Sequence, residues 1–268
     1  MITCDVLGNG PRNGGLGNQL FCIAAVLSLS FDNDDCAVFP DLRESHYKFY
    51  ADTIFHRLDS GHNKDFVKNY YKERPYTSTI YEKIPYKPNL CISGHFQSYK
   101  YFNHNRENIV NLFRLPDHMI NIIEDKYANL INLENTVSIH VRRGDYLSLR
   151  GIYEYIGPKY YQRALSIVDN YPKIVIFSDD ITWCKENSFF ANKSAFFVEN
   201  ESDVVDLYLM SRMKNNIIAN STFSWWSAFL NKNKDKKVVA PNNWFGPHRT
   251  KNNIQETADL IPASWIRI

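Results

Sequence analysis

Cysteine is scarce in this sequence, and the few cysteines do not follow a metal-binding or disulfide pattern. The 268 residues include 5 cysteines at scattered positions, and no two of them are spaced C-x-x-C. Zinc sites and small disulfide-rich folds both depend on regular cysteine spacing. We therefore expect neither, and because this cysteine usage fits a reducing compartment, the predicted location is cytoplasmic.

Long apolar runs and an excess of one charge are missing as well. No stretch of about 18 apolar residues occurs and no secretory signal opens the sequence, so we expect no transmembrane segment and no export. Lys and Arg number 31 against 29 for Asp and Glu, a formal net charge of +2. This balance argues against a nucleic-acid-binding surface. An anionic ligand would have to be met by local charges.

Aromatic residues, by contrast, are abundant. They make up 15% of the chain, with 17 Tyr and 17 Phe, and hydrophobic residues make up 44%. This composition is typical of a globular protein with a large core, and aromatic rings also stack on sugars and bases. The length favours roughly two domains, which we predict at residues 1–133 and 134–268. An irregular stretch rich in Tyr and Lys at residues 68–86 is predicted to be an insertion or a substrate-facing surface.

Two adjacent arginines follow the most regular apolar segment. Residues 136–141 alternate and are rich in β-branched side chains, which predicts a buried strand; Arg142, Arg143, Gly144 and Asp145 come directly after it. Open α/β sheets bind ligands at the carboxyl ends of their strands. Guanidinium groups suit phosphate oxygens, so the pattern predicts a diphosphate site. The alternative is a pair of ordinary surface charges.

A glycine-rich segment near the start of the chain is a second candidate for anion binding. Residues 8–19 lie between a predicted strand at 1–7 and a predicted helix at 20–29. The free N–H groups at a helix N-terminus can face an anion. The segment lacks the Gly-Lys-Ser/Thr ending of a P-loop and the spacing of the dinucleotide fingerprint. A tight turn with no ligand is the alternative.

The second half of the chain alternates strands and helices. The predicted strands are residues 173–177, 194–198, 216–219 and 237–241, and the predicted helices are 160–168, 183–188, 203–213 and 220–230. This order predicts an α/β fold with a parallel sheet. Ser221, Thr222 and Ser224 open the last helix, where hydroxyl and N–H groups can bind phosphate together. Ordinary N-capping is the alternative.

Seven short motifs, spread over nearly the whole chain, resemble those of the α-1,2-fucosyltransferases of glycosyltransferase family 11. In family order they are residues 14–21, 94–98, 140–146, 177–180, 206–211, 218–226 and 261–266. The resemblance implies a GT-B type α/β fold, with two Rossmann-like domains facing a central cleft. It also implies inverting transfer of L-fucose from GDP-β-L-fucose to O-2 of a terminal galactose of a glycan, with no metal and no other cofactor.

The resemblance further implies roles for individual residues by their position. Those implied in donor binding are Asn18, His140, Arg142, Arg143, Asp206, Ser221, Thr222 and Ser224. Within this set the two arginines and the hydroxyl groups would meet the diphosphate, His140 would lie near the ribose or guanine, and Asp206 would read the guanine. Asn18 would face the β-phosphate and fucose from the acceptor-side domain, residues 1–133, whereas residues 134–268 would bind the donor.

Arg142 and Asp145 are the predicted catalytic residues. Inversion in one step calls for a base near the acceptor hydroxyl, and Asp145 is the carboxylate nearest to the arginines in sequence. An ion pair that orients one of the arginines is the alternative role for Asp145.

Structural alternatives exist for the other candidates too. His140 could be a core histidine, and Asp206 could complement its helix dipole. Asp179 and Asp180 could cap the following helix, although they also resemble the paired aspartates that bind metal in other nucleotide-sugar transferases. We favour the metal-free interpretation because it accounts for both arginines. Trp225 and Trp226 are predicted to pack in the core.

Two other functions stay open at this point. They are a non-catalytic nucleotide-sugar-binding protein on the same fold and a transferase that uses another nucleotide sugar. The expected partners are GDP-fucose and a glycan acceptor, with no nucleic acid. Peripheral association with a membrane that carries a glycolipid acceptor is compatible with the sequence, and the oligomeric state is not predicted. Cys22-Ile23 replaces a glutamine-aromatic pair that is usual in the family, which leaves the acceptor open.

Overall fold

The structure is a computed structural model that describes residues 1–5, 15–42, 48–73, 79–149, 151–168, 170–171, 173–191 and 193–268. The chain forms two compact units. Unit 1 comprises Met1–Ile120 and Thr257–Pro262, and unit 2 comprises Asn121–Glu256 and Ala263–Ile268. This division differs from the predicted boundary at 133/134, because residues 121–133 join unit 2 and a short C-terminal segment returns to unit 1.

Unit 1 contains a parallel sheet of three strands in the order β1-β3-β2. The strands are β1 (Ile2–Cys4), β2 (Asn69–Lys72) and β3 (Leu90–Ser93). The helices along this part of the chain are α1 (Leu16–Asp32), α2 (Lys48–Ala51), α3 (Arg106–Leu112) and α4 (Asp117–Lys126), and the boundary between the units falls inside α4. The prediction of an irregular stretch at 68–86 is wrong where β2 forms.

Helix α1 begins earlier than the sequence predicts. It starts at Leu16 rather than residue 20, after Gly15 in an extended conformation. Leu16 and Leu20 are only 3% and 0% exposed, so the apolar face of the helix already enters the core in the first turn. Asn18 therefore belongs to the helix and not to a loop. The remainder of the predicted glycine loop, residues 8–14, lies outside the described residues, and the strand predicted at 1–7 is described only over Ile2–Cys4.

Unit 2 contains a six-stranded sheet in the order β6-β5-β4-β7-β8-β9. Its strands are β4 (Val137–Val141), β5 (Ile174–Ser178), β6 (Ala195–Phe197), β7 (Asn215–Ile217), β8 (Val238–Ala240) and β9 (Ile266–Arg267). Its helices after α4 are α5 (Ala128–Ile131), α6 (Pro158–Val168), α7 (Ile181–Glu186), α8 (Ser188–Ala191), α9 (Asp203–Arg212), α10 (Thr222–Leu230) and α11 (Asn253–Glu256). Every pair of neighbouring strands is parallel. The predicted α/β class with a parallel sheet is confirmed.

Strand β4 lies at the centre of this sheet and is buried along its whole length. Val137, Ile139 and Val141 pack into one core cluster together with Tyr161 of α6. Because side chains alternate along a strand, Ser138 and His140 belong to the opposite face. The strand predicted from its β-branched, alternating residues is thus present, and it is packed on both faces.

The strand order creates a topological switch point beside β4. From β4 the chain builds outward through β5 and β6, then crosses back to β7 and builds outward through β8 and β9 on the other side. The connections from β4 and β7 therefore leave the sheet in opposite directions, and the crevice at their carboxyl ends is where open α/β sheets bind ligands. The two segments that meet this crevice are residues 142–146 and 218–222.

Helix α10 anchors one side of the unit 2 core. Trp225 and Trp226 are fully buried, and the Trp225 ring stacks on Phe229 with the centroids 5.1 Å apart. Trp265 packs against Trp225 at 5.4 Å. The predicted core role of the tryptophan pair is confirmed. Within the described part of the chain, no helix is long and apolar enough to cross a membrane.

Candidate active site

Arg142, the first residue after β4, is held by two carboxylates. Its Nη2 group donates to Oδ1 of Asp145 across 2.7 Å, and Nη1 lies 3.0 Å from Oδ2 of Asp179. The guanidinium carbon lies 5.2 Å from the centroid of the Tyr146 ring. Nε is buried and has no hydrogen-bond partner among the described residues. The guanidinium is thus fixed in orientation and keeps a buried donor that an anion could satisfy.

Arg143 is held in a different environment. Its Nε donates to Oδ2 of Asp180 across 3.1 Å, and its guanidinium carbon lies 3.7 Å from the centroid of the Trp183 ring. Its backbone N–H donates to Oδ1 of Asp179 across 2.9 Å. The side chain is 13% exposed, against 31% for Arg142. A planar guanidinium stacked on an indole is rigid, so the two adjacent arginines are separately braced.

Gly144 permits the close approach of Asp179. A Cβ at this position would stand 2.6 Å from Oδ2 of Asp179, which is closer than real side chains come. Asp179 needs that position because its two oxygens meet the guanidinium of Arg142 and the backbone of Arg143. The register of β4 on β5, with Val141 opposite Ser178, brings these segments side by side.

Asp145 is the partner of Arg142, as the alternative interpretation predicted. Its side chain is 56% exposed, and it begins a short 3-10 helix, Asp145–Leu147. An exposed carboxylate next to a strand end can reach a bound hydroxyl only if it releases or shares its arginine. The ion pair is therefore the role that the described contacts support directly.

His140 lies one residue before the end of β4 and connects it to α10. Its ring faces that of Phe223 with the centroids 5.5 Å apart. The ring is 5% exposed, and Nδ1 has no hydrogen-bond partner in the part of the chain that the structure describes. Burial and then the neighbouring Arg142 lower the pKa of His140 to about 3. The imidazole is therefore neutral at physiological pH and can accept or donate one hydrogen bond at Nδ1.

The start of α10 presents hydroxyl groups of unequal availability. Ser221 is the N-cap residue, yet among the described residues its side chain makes no capping hydrogen bond. Thr222 is half-buried in the first turn. Ser224 is fully buried and its hydroxyl donates to the carbonyl of Ser221 across 3.3 Å. Ordinary N-capping by Ser221 is thus not observed, and the Ser224 hydroxyl is used inside the helix.

Two residues that the sequence did not single out as site residues join these segments. The Tyr146 ring stacks on Tyr153 with the centroids 4.1 Å apart, and its hydroxyl donates to the carbonyl of Asn220 across 3.1 Å. The Asn220 amide donates to the carbonyls of Glu154 and Trp244. Asn220 thereby holds the loop before α10 against three other segments. Its position between the β7 strand and the hydroxyl-rich helix start was the one signal available in the sequence.

Asp206 lies on another element, in the first turn of α9. Its Oδ1 atom is buried and has no hydrogen-bond partner among the residues described. Burial, and then the nearby Glu201 and Asp203, raise the pKa of Asp206 to about 7. A buried carboxyl group with an unused oxygen is costly unless it serves a ligand.

Asn18 lies in unit 1, in the first turn of α1. Its Oδ1 accepts a hydrogen bond from Nε2 of Gln97 across 3.0 Å. The site residues of unit 2 therefore fall into a group at the ends of β4 and β7, joined by His140–Phe223 and Tyr146–Asn220, and Asp206 on α9. Asn18 belongs to a separate cluster in unit 1.

Asp180 has the capping role that the sequence offered as one alternative, whereas Asp179 contacts Arg142 and the backbone of Arg143. Both pair with arginines, and Asp180 also caps α7 by accepting from the backbone N–H of Trp183 across 3.2 Å. In the described ranges, no group of three or more His, Cys, Asp or Glu side chains is arranged to hold a metal ion. The paired aspartates are thus engaged by guanidinium and backbone donors.

An α/β chain with two parallel sheets and paired arginines at a switch point has the layout of the nucleotide-sugar transferases of GT-B type. The chain belongs to glycosyl transferase family 11, whose sequence profile matches residues 11–268. It is 35% identical to the O-antigen biosynthesis glycosyltransferase WbnK of Escherichia coli, over 96% of this chain and 98% of that protein. It is 31% identical to an α-1,2-colitosyltransferase of Escherichia coli, over 95% and 96%.

More distant similarities agree with this family. The chain is 25% identical to the galactoside 2-α-L-fucosyltransferase SEC1 of Bos taurus, over 81% of this chain and 62% of that protein. The crystal structure of the fucosyltransferase NodZ from Bradyrhizobium superposes with a TM-score of 0.57 at 14% identity, covering 85% of this chain and 91% of NodZ. At that identity the match shows the fold, which is of GT-B type as expected.

Proposed function

We propose that this family 11 glycosyltransferase moves L-fucose from GDP-β-L-fucose to O-2 of a terminal galactose on a glycan, with inversion, to form an α-1,2 linkage. The observation that carries the proposal is the braced pair Arg142 and Arg143 at the carboxyl end of the central strand, beside the N-terminus of α10. The bovine relative is named as a galactoside 2-α-L-fucosyltransferase. NodZ has been co-crystallised with GDP.

In this proposal Arg142 and Arg143 bind the diphosphate. Departure of GDP places negative charge on the β-phosphate, and fixed donors that already point at that charge lower the barrier. The arginines cannot swing freely, because Asp145, Asp179 and Asp180 hold them. The N–H groups at the start of α10, together with the Ser221 and Thr222 hydroxyls, add further donors. The Ser224 hydroxyl does not bind the phosphate directly in this proposal. It holds the first turn of α10 in place through its bond to the Ser221 carbonyl.

Asp206 is proposed to read the guanine base. A carboxylate can accept from N1–H and N2–H of guanine at once, which no uncharged side chain of similar size does equally well. The raised pKa and the unused buried oxygen fit a group whose partner arrives with the ligand. His140, neutral and buried beside Phe223, is proposed to lie near the ribose or the base.

The chemical step needs no metal in this mechanism. A divalent cation and a guanidinium pair are alternative ways to neutralise a leaving diphosphate. A cation bound by Asp179 and Asp180 would lie directly beside Arg142 and Arg143 and would be repelled by them. Asp145 orients Arg142. To act as the base that deprotonates the acceptor hydroxyl, Asp145 would have to leave its ion pair with Arg142 and bind that hydroxyl. A dissociative transfer requires little help from a base.

Two assignments from the sequence remain predictions within this proposal. Asn18 is expected to face the β-phosphate and fucose, and residues 1–133 are expected to form the acceptor side while residues 134–268 bind the donor. The expected partners are GDP-fucose and a glycan, and the proposal is compatible with peripheral association with a membrane that carries a glycolipid acceptor.

A donor panel combined with an acceptor array tests the proposal. Purified protein is incubated with GDP-fucose, GDP-colitose, GDP-mannose or a UDP-sugar and with galactosides that have a free or a methylated O-2, and released nucleotide and product are measured. We expect GDP-fucose to be the donor that supports transfer, and we expect product only with galactosides whose O-2 is free. If transfer occurs only from GDP-colitose, GDP-colitose and not GDP-fucose is the donor. The similarity to the 31% identical colitosyltransferase makes GDP-colitose the second candidate. Binding of GDP-fucose without turnover on any acceptor would favour a non-catalytic binding protein.

A further inference from the structure

The stretch rich in Tyr and Lys after β2 continues past that strand as an irregular segment. Residues 81–87 have neither helical nor strand backbone, and they include Tyr81, Lys83 and Tyr86. The two tyrosines are 38% and 37% exposed. Exposed aromatic rings that lie close together in sequence are typical of surfaces that contact a ligand. The segment takes no part in the function proposed above, although the sequence predicts an insertion or a substrate-facing surface here.

A cleft of about 610 Å³ lies between this segment and α1. Its walls come from three parts of unit 1, which are the C-terminal half of α1, residues 81–86 and the turns at 99–105. Sites for small molecules have volumes of roughly 300–1,000 Å³. This cleft, which we call the α1 cleft, therefore has the size of a ligand site.

An aromatic wall forms one part of the α1 cleft. The ring of Tyr81 contacts that of Tyr101, with the centroids 4.9 Å apart and the planes inclined by 60°. Tyr101 is 6% exposed, and its hydroxyl accepts a hydrogen bond from the backbone N–H of Glu82 across 3.3 Å. The backbone N–H of Tyr81 donates to Oδ2 of Asp259 across 2.9 Å. The exposed ring of Tyr81 is thus held by a buried ring, and an apolar sugar face can pack on it.

Polar groups of both signs line the same cleft. The two carboxylate oxygens of Asp32, at the end of α1, each lie 2.9 Å from Nε2 of His104. Oδ1 also accepts from the Asn105 amide across 2.8 Å. The Asp32 side chain is still 40% exposed, so it is fixed in place and can accept another hydrogen bond. Lys83 lines the cleft as well and has no ion pair or hydrogen bond within the described ranges.

These features favour a neutral saccharide as the ligand. The carboxylate of Asp32 and the ammonium group of Lys83 offset each other, which argues against a strong anion such as phosphate. A pyranose has an apolar C–H face that packs on an aromatic ring, and hydroxyl groups at its rim that both donate and accept. Because Asp32 accepts and Lys83 donates, the two side chains match those hydroxyl groups. The cleft therefore has the chemistry of a sugar site.

The α1 cleft lies far from the residue of unit 1 that is expected to face the donor. Asn18 is in the first turn of α1, and Asp32 is the last residue of that helix. The two positions are separated by about 20 Å along the helix axis. A sugar in the cleft is therefore not the galactose that reacts, but it can be another sugar of a longer glycan.

We propose that the α1 cleft is a secondary saccharide-binding site, in which a sugar stacks on Tyr81 and bonds to Asp32 and Lys83. Its ligand is a sugar of the acceptor glycan other than the reacting galactose. This second statement rests on the proposed function, whereas binding of a saccharide to the cleft does not. Such a site increases affinity for long acceptors, because two parts of one chain are held at once.

Binding in the absence of donor tests the cleft directly. The probe is a hexasaccharide of three N-acetyllactosamine units, and calorimetry measures its affinity for the full-length protein, for Tyr81→Ala and for Lys83→Ala. We expect affinity to fall by about fivefold or more in each variant, because each loses one contact with the sugar. Tyr70→Ala is the control, since it removes a tyrosine that is 75% exposed on β2 and lies outside the cleft.

Two results would overturn the inference. One is a hexasaccharide that does not bind the unaltered protein, and the other is equal affinity in the unaltered protein, Tyr81→Ala and Lys83→Ala. Should Tyr81→Ala melt at a lower temperature because its contact with Tyr101 is lost, Lys83→Ala decides the result. Lys83 is exposed and has no partner in the part of the chain that the structure describes, so its truncation leaves the packing intact.

Steady-state kinetics with GDP-fucose connects the cleft to turnover. In the unaltered protein we expect KM for the hexasaccharide to be at least about fivefold below that for N-acetyllactosamine, and in Tyr81→Ala we expect the two values to agree within about twofold. The effect lies in KM because a remote contact is the same in the ground state and in the transition state. Equal KM values in the unaltered protein would overturn the acceptor role. If neither glycan is turned over, the proposed function fails, while calorimetry still decides whether the cleft binds saccharide.

Discussion

The Nη2 group of Arg142 donates to Oδ1 of Asp145 while Nη1 of the same guanidinium meets Asp179. One arginine is therefore fixed from two sides, and its buried Nε keeps a donor for a ligand. The guanidinium is thus held in place for an anionic ligand, because two carboxylates share it and neither binds it alone.

Replacing Arg142 tests the diphosphate site. Loss of a charge-assisted contact costs roughly 1.5–3 kcal/mol, so we expect Arg142→Ala to weaken GDP binding by about ten- to a hundredfold and to abolish measurable transfer. Arg142→Lys should fail as well, because an ammonium cannot meet two carboxylates and a phosphate in one plane. Calorimetry with GDP measures the effect, and the exposed Arg163→Ala is the control. Unchanged GDP affinity in both Arg142 variants would remove the arginine from the site.

Asp145→Asn distinguishes orientation from base catalysis. If Asp145 only orients Arg142, the amide keeps one hydrogen bond and turnover falls by less than about tenfold, since an exposed ion pair contributes little. A general base contributes about 10²–10⁴ in rate. Steady-state kcat at saturating GDP-fucose is the measurement. A fall of 10²-fold or more with unchanged GDP binding would establish the base role.

GDP binding should depend on pH through Asp206. Its pKa of about 7 lies well above the ordinary value, and only the ionised form accepts from both guanine N–H groups. We expect affinity to rise by up to about tenfold per pH unit between pH 5 and 7 and then to level, with a proton released on binding. Calorimetry in buffers of different ionisation enthalpy measures that release. The Asp206→Asn variant lacks this titrating group, so the pH dependence of its GDP affinity reports ionisation of the phosphate alone. If GDP affinity depends on pH equally in both proteins, Asp206 does not read the guanine.

Asp206 should also make the stability of the ligand-free protein depend on pH, but in the opposite direction: stability falls as the pH rises, whereas GDP affinity rises. An acid whose pKa is raised by folding stabilises the folded state while it is protonated, fully below its unfolded pKa near 4. That contribution is lost as the pH rises through about 7. Without ligand, Asp206→Asn should therefore be more stable than the unaltered protein at pH 8, and the difference should disappear as the pH falls towards 4. Urea unfolding at these pH values measures it.

Gly144→Ala should damage the site without touching any charge. The added Cβ would displace Asp179, which braces Arg142 and the backbone of Arg143, so we expect weaker GDP binding by tenfold or more. Gly15→Ala, whose Cβ would meet nothing within 4 Å in the described structure, is the control for melting temperature. Native GDP affinity in Gly144→Ala would mean that Asp179 can move without consequence.

Transfer should survive chelation. After exhaustive treatment with EDTA we expect the rate with GDP-fucose to be unchanged, because the arginines and the α10 terminus already neutralise the leaving diphosphate. The check is turnover before and after readdition of Mg²⁺ or Mn²⁺. Activity lost on chelation and restored by either ion would reassign Asp179 and Asp180 as ligands.

The central strand and its arginines could be predicted because their signal is local. Val137, Ile139 and Val141 alternate in the sequence as they do in the core, and the arginines follow with no gap. Strand β2 could not be predicted in the same way. It lies at the edge of its sheet and alternates half-buried with exposed residues, so it carries no apolar run.

The contacts that make the site depend on the register of separate strands. Arg142 meets Asp179 because β4 and β5 align Val141 with Ser178, a relationship that no window of sequence contains. The early start of α1 was missed for another reason. Glycines at residues 15 and 17 favour a loop locally, but the apolar side chains of Leu16, Leu20 and Phe21 are buried from the first turn onward, and this burial offsets the cost of the glycines.

The chain passes between its two units three times, at 120/121, 256/257 and 262/263. Asp259 anchors the short returning segment in unit 1, where it accepts from the backbone N–H of Tyr81 and pairs with Lys100. A hybrid of two family members joined at a single crossover would thus carry a piece of one parent packed on a unit of the other. Recombination that keeps both units native requires three crossovers at these points.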